Sequence, residues 1–279
     1  MYDIIKKKKL NADVVLMRVA APEIAAKARP GQFVILRADS EAERIPLTIA
    51  DYSAEAGEVT IIFQRVGAST MRLAQLKQGD CLADIVGPLG KPTDLAGLKK
   101  AAIIGGGVGC AIAYPLAKAL RQQGCEVDAI VGFRNKDLII LEDEFKAVCR
   151  RYFLRTDDGS AGEKGLVTDA LRKRLEAGEA YDRVIAIGPL IMMKFVCKLT
   201  QEFHVPTEVS MNPIMIDGTG MCGCCRLTVG GQRRFACVDG PDFDGHQIDW
   251  DEALARGGAY AAQEAAAREK ACRLFGMEK

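Results

Sequence analysis

The sequence predicts a protein of the β plus α/β class: an antiparallel β-barrel, then a parallel-sheet domain, then a small cysteine-rich segment. Three observations predict this. Short strand-like stretches with turn residues between them fill residues 13–87, and apolar stretches alternate with amphipathic helical ones from residue 101 to 205. Four cysteines cluster within residues 217–237. A chain of 279 residues is long enough for two domains and a small third.

The composition excludes two classes of partner. The formal net charge is +1, which predicts no nucleic-acid partner and no attraction to a membrane of anionic lipid. No apolar stretch approaches the roughly 18 residues of a membrane span, and the first residues lack the charged-then-apolar order of a signal peptide. We therefore expect a cytoplasmic protein whose cysteines stay reduced and serve as core residues, metal ligands or reactive thiols.

The first domain is predicted to span residues 1–97 and to form the barrel. Its strand-like stretches are 12–21, 30–38 and 57–66. The lysine run 6–9 is expected on an exposed edge strand, where charge discourages pairing with another chain. Residues 87–100 are rich in Gly, Pro and Lys and mark the boundary with the next domain.

The second domain is predicted to span residues 98–208, with strands and helices alternating around a parallel sheet. Its first strand, 101–104, runs into Gly105-Gly106-Gly107-Val108-Gly109 and then a helix. Glycines at such a turn let backbone N–H groups approach a pyrophosphate, and the helix N-terminus favours negative charge. The spacing is not the full G-x-G-x-x-G fingerprint, so a tight turn without a ligand remains an alternative.

Two further turns are expected at the same edge of this sheet, where ligands of open α/β folds bind. One is Ile187-Gly188-Pro189, which ends a strand and precedes the helical residues 190–193. The other is residues 156–160, Thr-Asp-Asp-Gly-Ser, after the strand 151–155. This second turn fits a ligand cleft and an ordinary Asx turn equally well.

The barrel region contains two short polar motifs. Residues 44–48, Arg-Ile-Pro-Leu-Thr, combine a cation and a hydroxyl that could bind a phosphate and touch a ring edge. Residues 67–70, Gly-Ala-Ser-Thr, lead into a helical stretch and suit either a phosphate or plain helix capping. Neither motif is specific by itself.

The order of all these motifs resembles the ferredoxin–NADP reductase superfamily. The similarity covers residues 13–250 and is greatest to the branch of dihydroorotate dehydrogenase electron-transfer subunits. Within that branch, residues 212–226, NPIMIDGTGMCGCCR, resemble the small (alpha) subunits of NADH-dependent ferredoxin–NADP oxidoreductases, also described as sulfide dehydrogenase subunits.

This resemblance implies FAD in the barrel domain and NAD(H) or NADP(H) in the α/β domain. The residues that match the family's flavin motifs are Arg44, Pro46, Leu47, Thr48, Gly67, Ser69 and Thr70. Those that match its nicotinamide-nucleotide cleft are Gly105, Gly107, Gly109, Asp158, Gly188 and Met192. No catalytic acid or base is predicted, since the two histidines, His204 and His246, have no partner at ligand or triad spacing.

The third segment, 209–279, is predicted to bind a [2Fe-2S] cluster and to end in an Ala-rich helix, 252–276. Cys222 and Cys225 are spaced to wrap one side of a metal, and a hairpin around Gly230-Gly231 returns Cys237 beside them. The plant-type pattern C-x4-C-x2-C…C places its first ligand five residues before Cys222, where the chain has Asp217. The resembling subunits likewise have one aspartate and three cysteines.

Two alternatives bear on this metal site. Cys224 is a rival fourth ligand, although it adjoins Cys225 and adjacent residues point apart in an extended loop. A zinc ribbon would require a second C-x-x-C, which the sequence after Cys237 lacks. The remaining cysteines are expected to be small core residues: Cys81, Cys110, Cys125, Cys149, Cys197 and Cys272.

These features predict an electron-transfer subunit of the ferredoxin–NADP reductase type. A hydride carries two electrons and a [2Fe-2S] cluster takes one, so a flavin must stand between nucleotide and cluster. The resemblance implies a heterodimer with a larger flavin and iron–sulfur subunit, where electron bifurcation between NADH, NADPH and ferredoxin would occur. The alternatives are a dihydroorotate dehydrogenase electron-transfer subunit and a zinc-stabilised nucleotide-binding module.

Overall fold

The computed structural model describes residues 2–275, so Met1 and residues 276–279 lie outside the described part, including Gly276 at the end of the predicted C-terminal helix. The first part of the chain forms seven strands and two short helices. The strands are β1 (Tyr2–Lys9), β2 (Val14–Ala20), β3 (Phe33–Arg37), β4 (Ile45–Ser53), β5 (Glu58–Gln64), β6 (Cys81–Leu82) and β7 (Asp84–Leu89). The helices are α1 (Pro22–Ala25) and α2 (Ala68–Leu73).

These strands confirm the predicted antiparallel barrel. They pair in the order β6-β1-β2-β5-β4-β3-β7, and β6 and β7 are consecutive in the chain, so the barrel is nearly closed. Alternate side chains of β2 and β5 point inward, among them Met17, Val19, Ile61 and Phe63, which are all buried.

The lysine run lies at an open edge of this barrel. Lys6–Lys9 pair with β2 on one side, whereas β6 pairs only with Tyr2 and Asp3 of the same strand. Lys7 folds over the edge and donates hydrogen bonds from Nζ to the carbonyls of Ala74 (2.5 Å) and Leu76 (2.6 Å), after α2. The lysine therefore also caps the C-terminal end of that helix.

The next part of the chain is an α/β domain. Its strands are β8 (Lys100–Gly106), β9 (Glu126–Phe133), β10 (Arg151–Thr156), β11 (Glu163–Lys164), β12 (Arg183–Ile187) and β13 (Thr207–Ser210). Its helices are α3 (Cys110–Gln122), α4 (Glu142–Val148), α5 (Val167–Glu176) and α6 (Leu190–Glu202).

The sheet of this domain is parallel, in the order β11-β10-β9-β8-β12-β13. Its central strand β8 is buried on both faces: Ala102 and Ile104 pack into one apolar core, and Ala101 and Ile103 into the other. This explains why residues 101–104 are all apolar rather than alternating. Helix α4 ends at Val148, shortly before the chain enters β10.

The C-terminal part forms strands β14 (Arg226–Val229), β15 (Gln232–Phe235) and β16 (Asp242–Asp244) and helices α7 (Trp250–Gly257) and α8 (Ala261–Phe275). The predicted hairpin is confirmed, since β14 and β15 pair antiparallel around Gly230 and Gly231. Strand β16 adds antiparallel to β13 and so extends the sheet of the α/β domain. The prediction of a single C-terminal helix was wrong. The helical stretch is interrupted at Gly257-Gly258, where the low helix propensity of glycine ends α7.

The two C-terminal helices contact different parts of the molecule. Helix α7 packs against α6, and Lys194 Nζ lies 2.7 Å from an Asp251 carboxylate oxygen. Helix α8 contacts the barrel helix α2, where Met71 is buried against Ala271 and Cys272. None of the described helices is long and apolar enough to cross a membrane.

Candidate functional site

A cavity of about 980 Å³ lies at the carboxyl ends of the parallel strands. The glycine turn after β8 and the Gly188 turn after β12 both line it, as does Met192 on the first turn of α6. The structure thus brings together the two turns that the sequence predicted at this edge, in the position where open α/β sheets bind their ligands.

Glycine is required at this edge because two backbone segments touch. A Cβ atom on Gly109 would lie 2.4 Å from the carbonyl oxygen of Ile187, and one on Gly188 would lie 3.0 Å from the Cα atom of Gly106. Met192 covers this contact, since its Sδ lies 2.4 Å from the position of a Cβ on Gly106. Gly106 belongs to the predicted turn but was not among the residues singled out.

The other glycines of the turn differ in their roles. Gly107 has φ +55° and nothing within 4 Å of the Cβ position, so its backbone faces open space at the start of the helix. Such an orientation leaves backbone N–H groups available to an anionic ligand. Gly105 lies deeper in β8, does not line the cavity, and is packed against Cys110.

The turn after β10 contributes through Asp157, which lines the cavity, rather than through Asp158. Asp158 accepts hydrogen bonds from the backbone N–H and the hydroxyl of Ser160, at 2.9 and 2.7 Å, and these bonds lower its pKa. This is the Asx turn that the sequence left open as an alternative.

The sequence missed an apolar rim on the cavity. Leu166, Ile191 and Phe195 line it and are 59%, 50% and 53% exposed. Exposed apolar side chains around a cavity offer a surface for a planar ring. The signal was present in residues 190–196 of α6, whose apolar positions are too many for one buried face.

The two polar motifs of the barrel lie side by side. Residues Arg44–Thr48 lead into and begin β4, residues Gly67–Thr70 begin α2, and the Ser69 hydroxyl donates to a carboxylate oxygen of Glu43 at 2.7 Å. The Thr70 hydroxyl accepts from the backbone N–H of Gly67 at 3.1 Å and donates to the Gly67 carbonyl, so it caps α2. The fold therefore joins motifs that are about twenty residues apart in sequence.

The cysteine segment lies against this part of the barrel. A Cβ on Gly218 would lie 2.4 Å from Ile35 Cδ1, so the loop before the cysteines packs onto β3. The guanidinium of Arg44, which lies 3.5 Å from an Asp84 oxygen, also helps to lower the pKa of Asp217. The predicted flavin motif and the predicted metal loop are thus neighbours.

Two of the predicted metal ligands meet in a buried position. Cys225, just before β14, and Cys237, just after β15, are both buried, and their sulfur atoms are 3.2 Å apart. Burial, followed by the hydrogen bond from Cys225, raises the pKa of Cys237 to about 12. The hairpin therefore returns the distant cysteine as the sequence predicted.

Cys222 is exposed and surrounded by backbone donors. The N–H group of Cys224 points at its sulfur at 3.5 Å, and the N–H groups of Cys224 and Asp217 lower the pKa of its thiol. The loop takes this shape because Gly218, Gly220 and Gly223 have φ values of +83°, +88° and +66°. A loop of left-handed glycines that directs N–H groups at thiolates is typical of iron–sulfur sites.

Asp217 is held by its own loop. One carboxylate oxygen accepts from the N–H of Thr219 at 2.9 Å, from its hydroxyl at 2.5 Å and from the N–H of Met221 at 3.3 Å. These bonds, with that of the Thr219 side chain the strongest, lower the pKa of Asp217 and favour the ionised form that a metal ligand needs. Among residues 2–275 no three His, Cys, Asp or Glu side chains converge closely enough to hold a single metal ion.

The donor set nevertheless fits an iron–sulfur cluster. A cluster spreads its ligands over two irons, so the four ligands need not converge on one point. Three thiols, one ionised carboxylate and N–H groups directed at sulfur are the donors such a cluster requires. The backbone carbonyl of the rival Cys224 accepts a hydrogen bond from the Arg256 guanidinium at 3.0 Å, which ties this part of the loop to α7.

Comparison with known proteins identifies both cofactor regions. Residues 212–249 match the family model described as the iron–sulfur cluster binding domain of dihydroorotate dehydrogenase B, and residues 103–198 match the oxidoreductase NAD-binding domain. A Thermotoga maritima homologue of the dihydroorotate dehydrogenase B (NAD(+)) electron transfer subunit is 47% identical over 276 residues, which are 99% of this chain and 97% of the relative. The chain belongs to the family of dihydroorotate dehydrogenase B electron transfer subunits.

Two further comparisons bear on the place of the chain within this family. The electron transfer subunit of Clostridium acetobutylicum is 36% identical, over 80% of this chain and 87% of that protein. A solved structure, from a study of flavin-based electron bifurcation by the NADH-dependent reduced ferredoxin-NADP oxidoreductase, superposes with a TM-score of 0.91 at 46% identity, covering 97% of each chain.

These comparisons confirm the predicted fold class and the predicted kind of protein. The chain is an oxidoreductase subunit of the ferredoxin–NADP reductase type, with an iron–sulfur domain and an NAD-binding domain. FAD fits this fold. Membership in a family of electron transfer subunits also implies a partner subunit.

Proposed function

We propose that the chain is the small, electron-transferring flavoprotein subunit of an NADH-dependent ferredoxin–NADP+ oxidoreductase. The observation that carries this is the adjacency of three sites. The barrel motif at Arg44 neighbours the cysteine loop at Asp217, and the nucleotide cavity is lined in part by Val14 and Gln64 of the barrel and by Asn212 at the start of the matched cluster segment. The 46% identical solved structure supports the particular complex.

The barrel motifs would hold FAD and the large cavity would hold NAD(H). The FAD residues of this proposal are Arg44, Pro46, Leu47, Thr48, Gly67, Ser69 and Thr70. Of the nucleotide residues expected from the sequence, Gly107, Gly109, Gly188 and Met192 line this cavity and would contact the nucleotide, whereas Gly105 and Asp158 do not line it. FAD held there would supply the conversion of a two-electron hydride into single electrons, and a [2Fe-2S] cluster would supply one-electron transfer.

Asp217, Cys222, Cys225 and Cys237 would hold the cluster. The protein's part is to keep the two buried thiols of Cys225 and Cys237 together and to present an ionised carboxylate at Asp217. A carboxylate carries the same charge as a thiolate but is a hard oxygen donor, so it changes the reduction potential without changing the net charge of the site.

The assembly that we propose is a heterodimer with a larger flavin and iron–sulfur subunit, where electron bifurcation between NADH, NADPH and ferredoxin would occur. Domain boundaries after residues 97 and 208 would separate the FAD, nucleotide and cluster segments of the small subunit. A cytoplasmic location fits the cysteines, all ten of which are free thiols.

A second candidate is the electron transfer subunit of dihydroorotate dehydrogenase B. The family model of the cluster domain and the Clostridium acetobutylicum relative favour it. The discriminating residue is Asp217, because the plant-type pattern has a fourth cysteine at that position. The match of residues 212–249 to an iron–sulfur cluster binding domain argues against a zinc-stabilised module.

The test is anaerobic co-expression of the chain with its genomic neighbours, followed by purification through a tag on this chain. The proposal predicts a yellow-brown complex with one FAD and two irons on this subunit, a larger flavin- and iron-containing partner, and NADH-dependent reduction of NADP+ that requires reduced ferredoxin. Dihydroorotate-dependent reduction of NAD+ instead would favour the second candidate. A colourless zinc protein would refute both.

A further inference from the structure

A column of polar side chains runs along one face of the β13–β16 pair. Ser210 pairs with Asp242 and Glu208 pairs with Asp244, while Val209 and Phe243 between them are buried on the opposite face. Because side chains alternate along a strand, the four polar residues share one face. Ser210 and Asp242 are directly opposite each other, and Asp242 and Glu208 are diagonal neighbours about 7 Å apart, a gap that one water molecule can bridge.

This column connects two cavities at opposite edges of the sheet. Ser210 lines the nucleotide cavity at the carboxyl ends of the strands. Glu208 and Asp244 line a second cavity of about 650 Å³ at the other edge, together with Asp94, Arg183 and both histidines of the chain, His204 and His246.

Asp242 is the middle of the column and its carboxyl group is incompletely paired. Oδ2 accepts a hydrogen bond from the Thr93 hydroxyl at 2.5 Å, whereas Oδ1 is buried and has no partner at hydrogen-bonding geometry, although the Ser210 hydroxyl is close. Part of the residue reaches the surface, but the carboxyl group itself is enclosed. A buried unpaired carboxyl oxygen is costly and calls for a role.

The pKa values of the Asp242 and Glu208 carboxyl groups lie close to neutral pH. Burial raises the pKa of Asp242 to about 6, although the hydroxyls of Ser210 and Thr93 favour its charged form and so lower the pKa. Burial, then the charge of Asp242, raises the pKa of Glu208 to about 7, and Asp94 acts in the same direction. Arg183, whose guanidinium lies 3.1 Å from Glu208, opposes this rise without cancelling it.

We propose that Ser210, Asp242 and Glu208 form a proton pathway from the nucleotide cavity to the second cavity and so to solvent. The inference rests on the proposed function. Oxidation of NADH yields NAD+, two electrons and one proton. The cluster and the acceptor beyond it take only the electrons, so one proton must leave the seam while the nucleotide fills the large cavity. The carboxylate of Asp242 accepts this proton and returns it through Glu208 to water.

The proton is released only after the hydride has been transferred, which separates two measurable half-reactions. In anaerobic stopped-flow experiments on the loaded chain, Asp242→Asn should leave the NADH-dependent loss of flavin absorption within about twofold of wild type. It should slow the delivery of electrons to ferricyanide at pH 7 by about tenfold or more, with an increased solvent isotope effect. Glu208→Gln should have the same selective effect, and Glu176→Gln on the exposed face of α5 should have none.

A second measurement follows the titration itself in the oxidised protein. Infrared spectra of the wild type should show two carboxyl groups that titrate near pH 6 and pH 7. The titration near pH 6 should be absent in Asp242→Asn, and the one near pH 7 should be absent in Glu208→Gln. Thr93→Val removes a hydroxyl that stabilises the charged Asp242, so it should shift the midpoint of the pH–rate profile upward. This variant retains the carboxyl group and keeps the test available if Asp242→Asn does not fold.

The inference is overturned if Asp242→Asn and Glu208→Gln leave the ferricyanide step and its pH profile unchanged, or if both half-reactions slow equally, as a structural defect would cause. Failure of NADH to bleach a flavin in the wild type would instead refute the proposed function.

Discussion

Replacing Gly109 by alanine probes the closest contact between the two turns that line the nucleotide cavity. Gly109 has φ −57° and ψ −22°, which is ordinary helical backbone, so alanine meets no conformational strain there. The added Cβ would lie 2.4 Å from the carbonyl oxygen of Ile187 and 2.9 Å from the Cα of Gly188. Both atoms belong to the backbone and cannot rotate away as a side chain could.

The cost follows from these distances. Non-bonded heavy atoms pack at about 3.5 Å, so the start of α3 and the end of β12 must separate by about 1 Å. Overpacking of this kind costs about 1–3 kcal/mol. We expect the free energy of unfolding to fall by about 1–3 kcal/mol. NADH should bind at least about tenfold more weakly, a loss of about 1.4 kcal/mol, because the walls of its cavity move apart.

Urea unfolding and titration of the protein with NADH measure the two quantities. Gly258→Ala is the matched control, since its Cβ would meet nothing closer than 3.8 Å and its φ of −95° suits alanine. Wild-type affinity for NADH in Gly109→Ala, despite the lowered stability, would show that the two turns do not form the nucleotide site.

Three further predictions concern the iron–sulfur cluster, the buried carboxylate of Asp128 and the C-terminal helix α8. Asp217→Cys should retain a [2Fe-2S] cluster with a shifted potential, measured by a redox titration followed by electron paramagnetic resonance; unchanged cluster content and potential would show that Asp217 is not a ligand. Asp128 is buried, which raises its pKa, but hydrogen bonds from two arginines and Tyr181 outweigh burial and lower the pKa to about 2. Its stabilisation is therefore present above about pH 4 and lost as the pH falls towards 2. Asp128→Asn should cost about 2 kcal/mol at pH 7 in denaturant unfolding and flatten this acid dependence; a steep acid dependence that persists in the variant would contradict this. Ala271→Glu should detach α8 from the barrel and expose the helix to limited proteolysis, whereas Leu274→Glu, at a position that is 74% exposed, should not; equal protection of both variants would contradict the packing.

The fold could be predicted because its signals are local. The apolar run 101–104, buried on both faces, and the alternating strands of the barrel follow from side-chain periodicity alone. The pairing of Cys225 with Cys237 followed from the length of a hairpin with Gly230-Gly231 at its turn.

Long-range contacts could not be predicted in this way. Strand β16 has only three residues, and its partner β13 lies far from it in the sequence, so local patterns assigned it to the cysteine segment. The docking of α8 on α2 depends on Met71, which resembles any core methionine in sequence. The apolar rim at Phe195 was missed for a similar reason, since a helix that is apolar on more than one face does not reveal which face lines a cavity.

The role of Asp158 shows a different limit. Its match to a family motif placed it in the nucleotide cleft, whereas its side chain bonds to Ser160 and its neighbour Asp157 lines the cavity. Motif spacing cannot tell which of two adjacent aspartates faces the ligand, because an Asx turn and a ligand contact use the same residue types.

We expect electrons from NADH to pass through a flavin to an iron–sulfur cluster held by three cysteines and one aspartate. This path is tested by adding excess NADH to the anaerobically purified chain and recording flavin absorption and the electron paramagnetic resonance of the frozen sample. The expected result is loss of the flavin absorption together with a paramagnetic signal of a reduced [2Fe-2S] cluster, and a signal of altered shape in Asp217→Cys. A chain without flavin absorption, or without iron and sulfide, would contradict it.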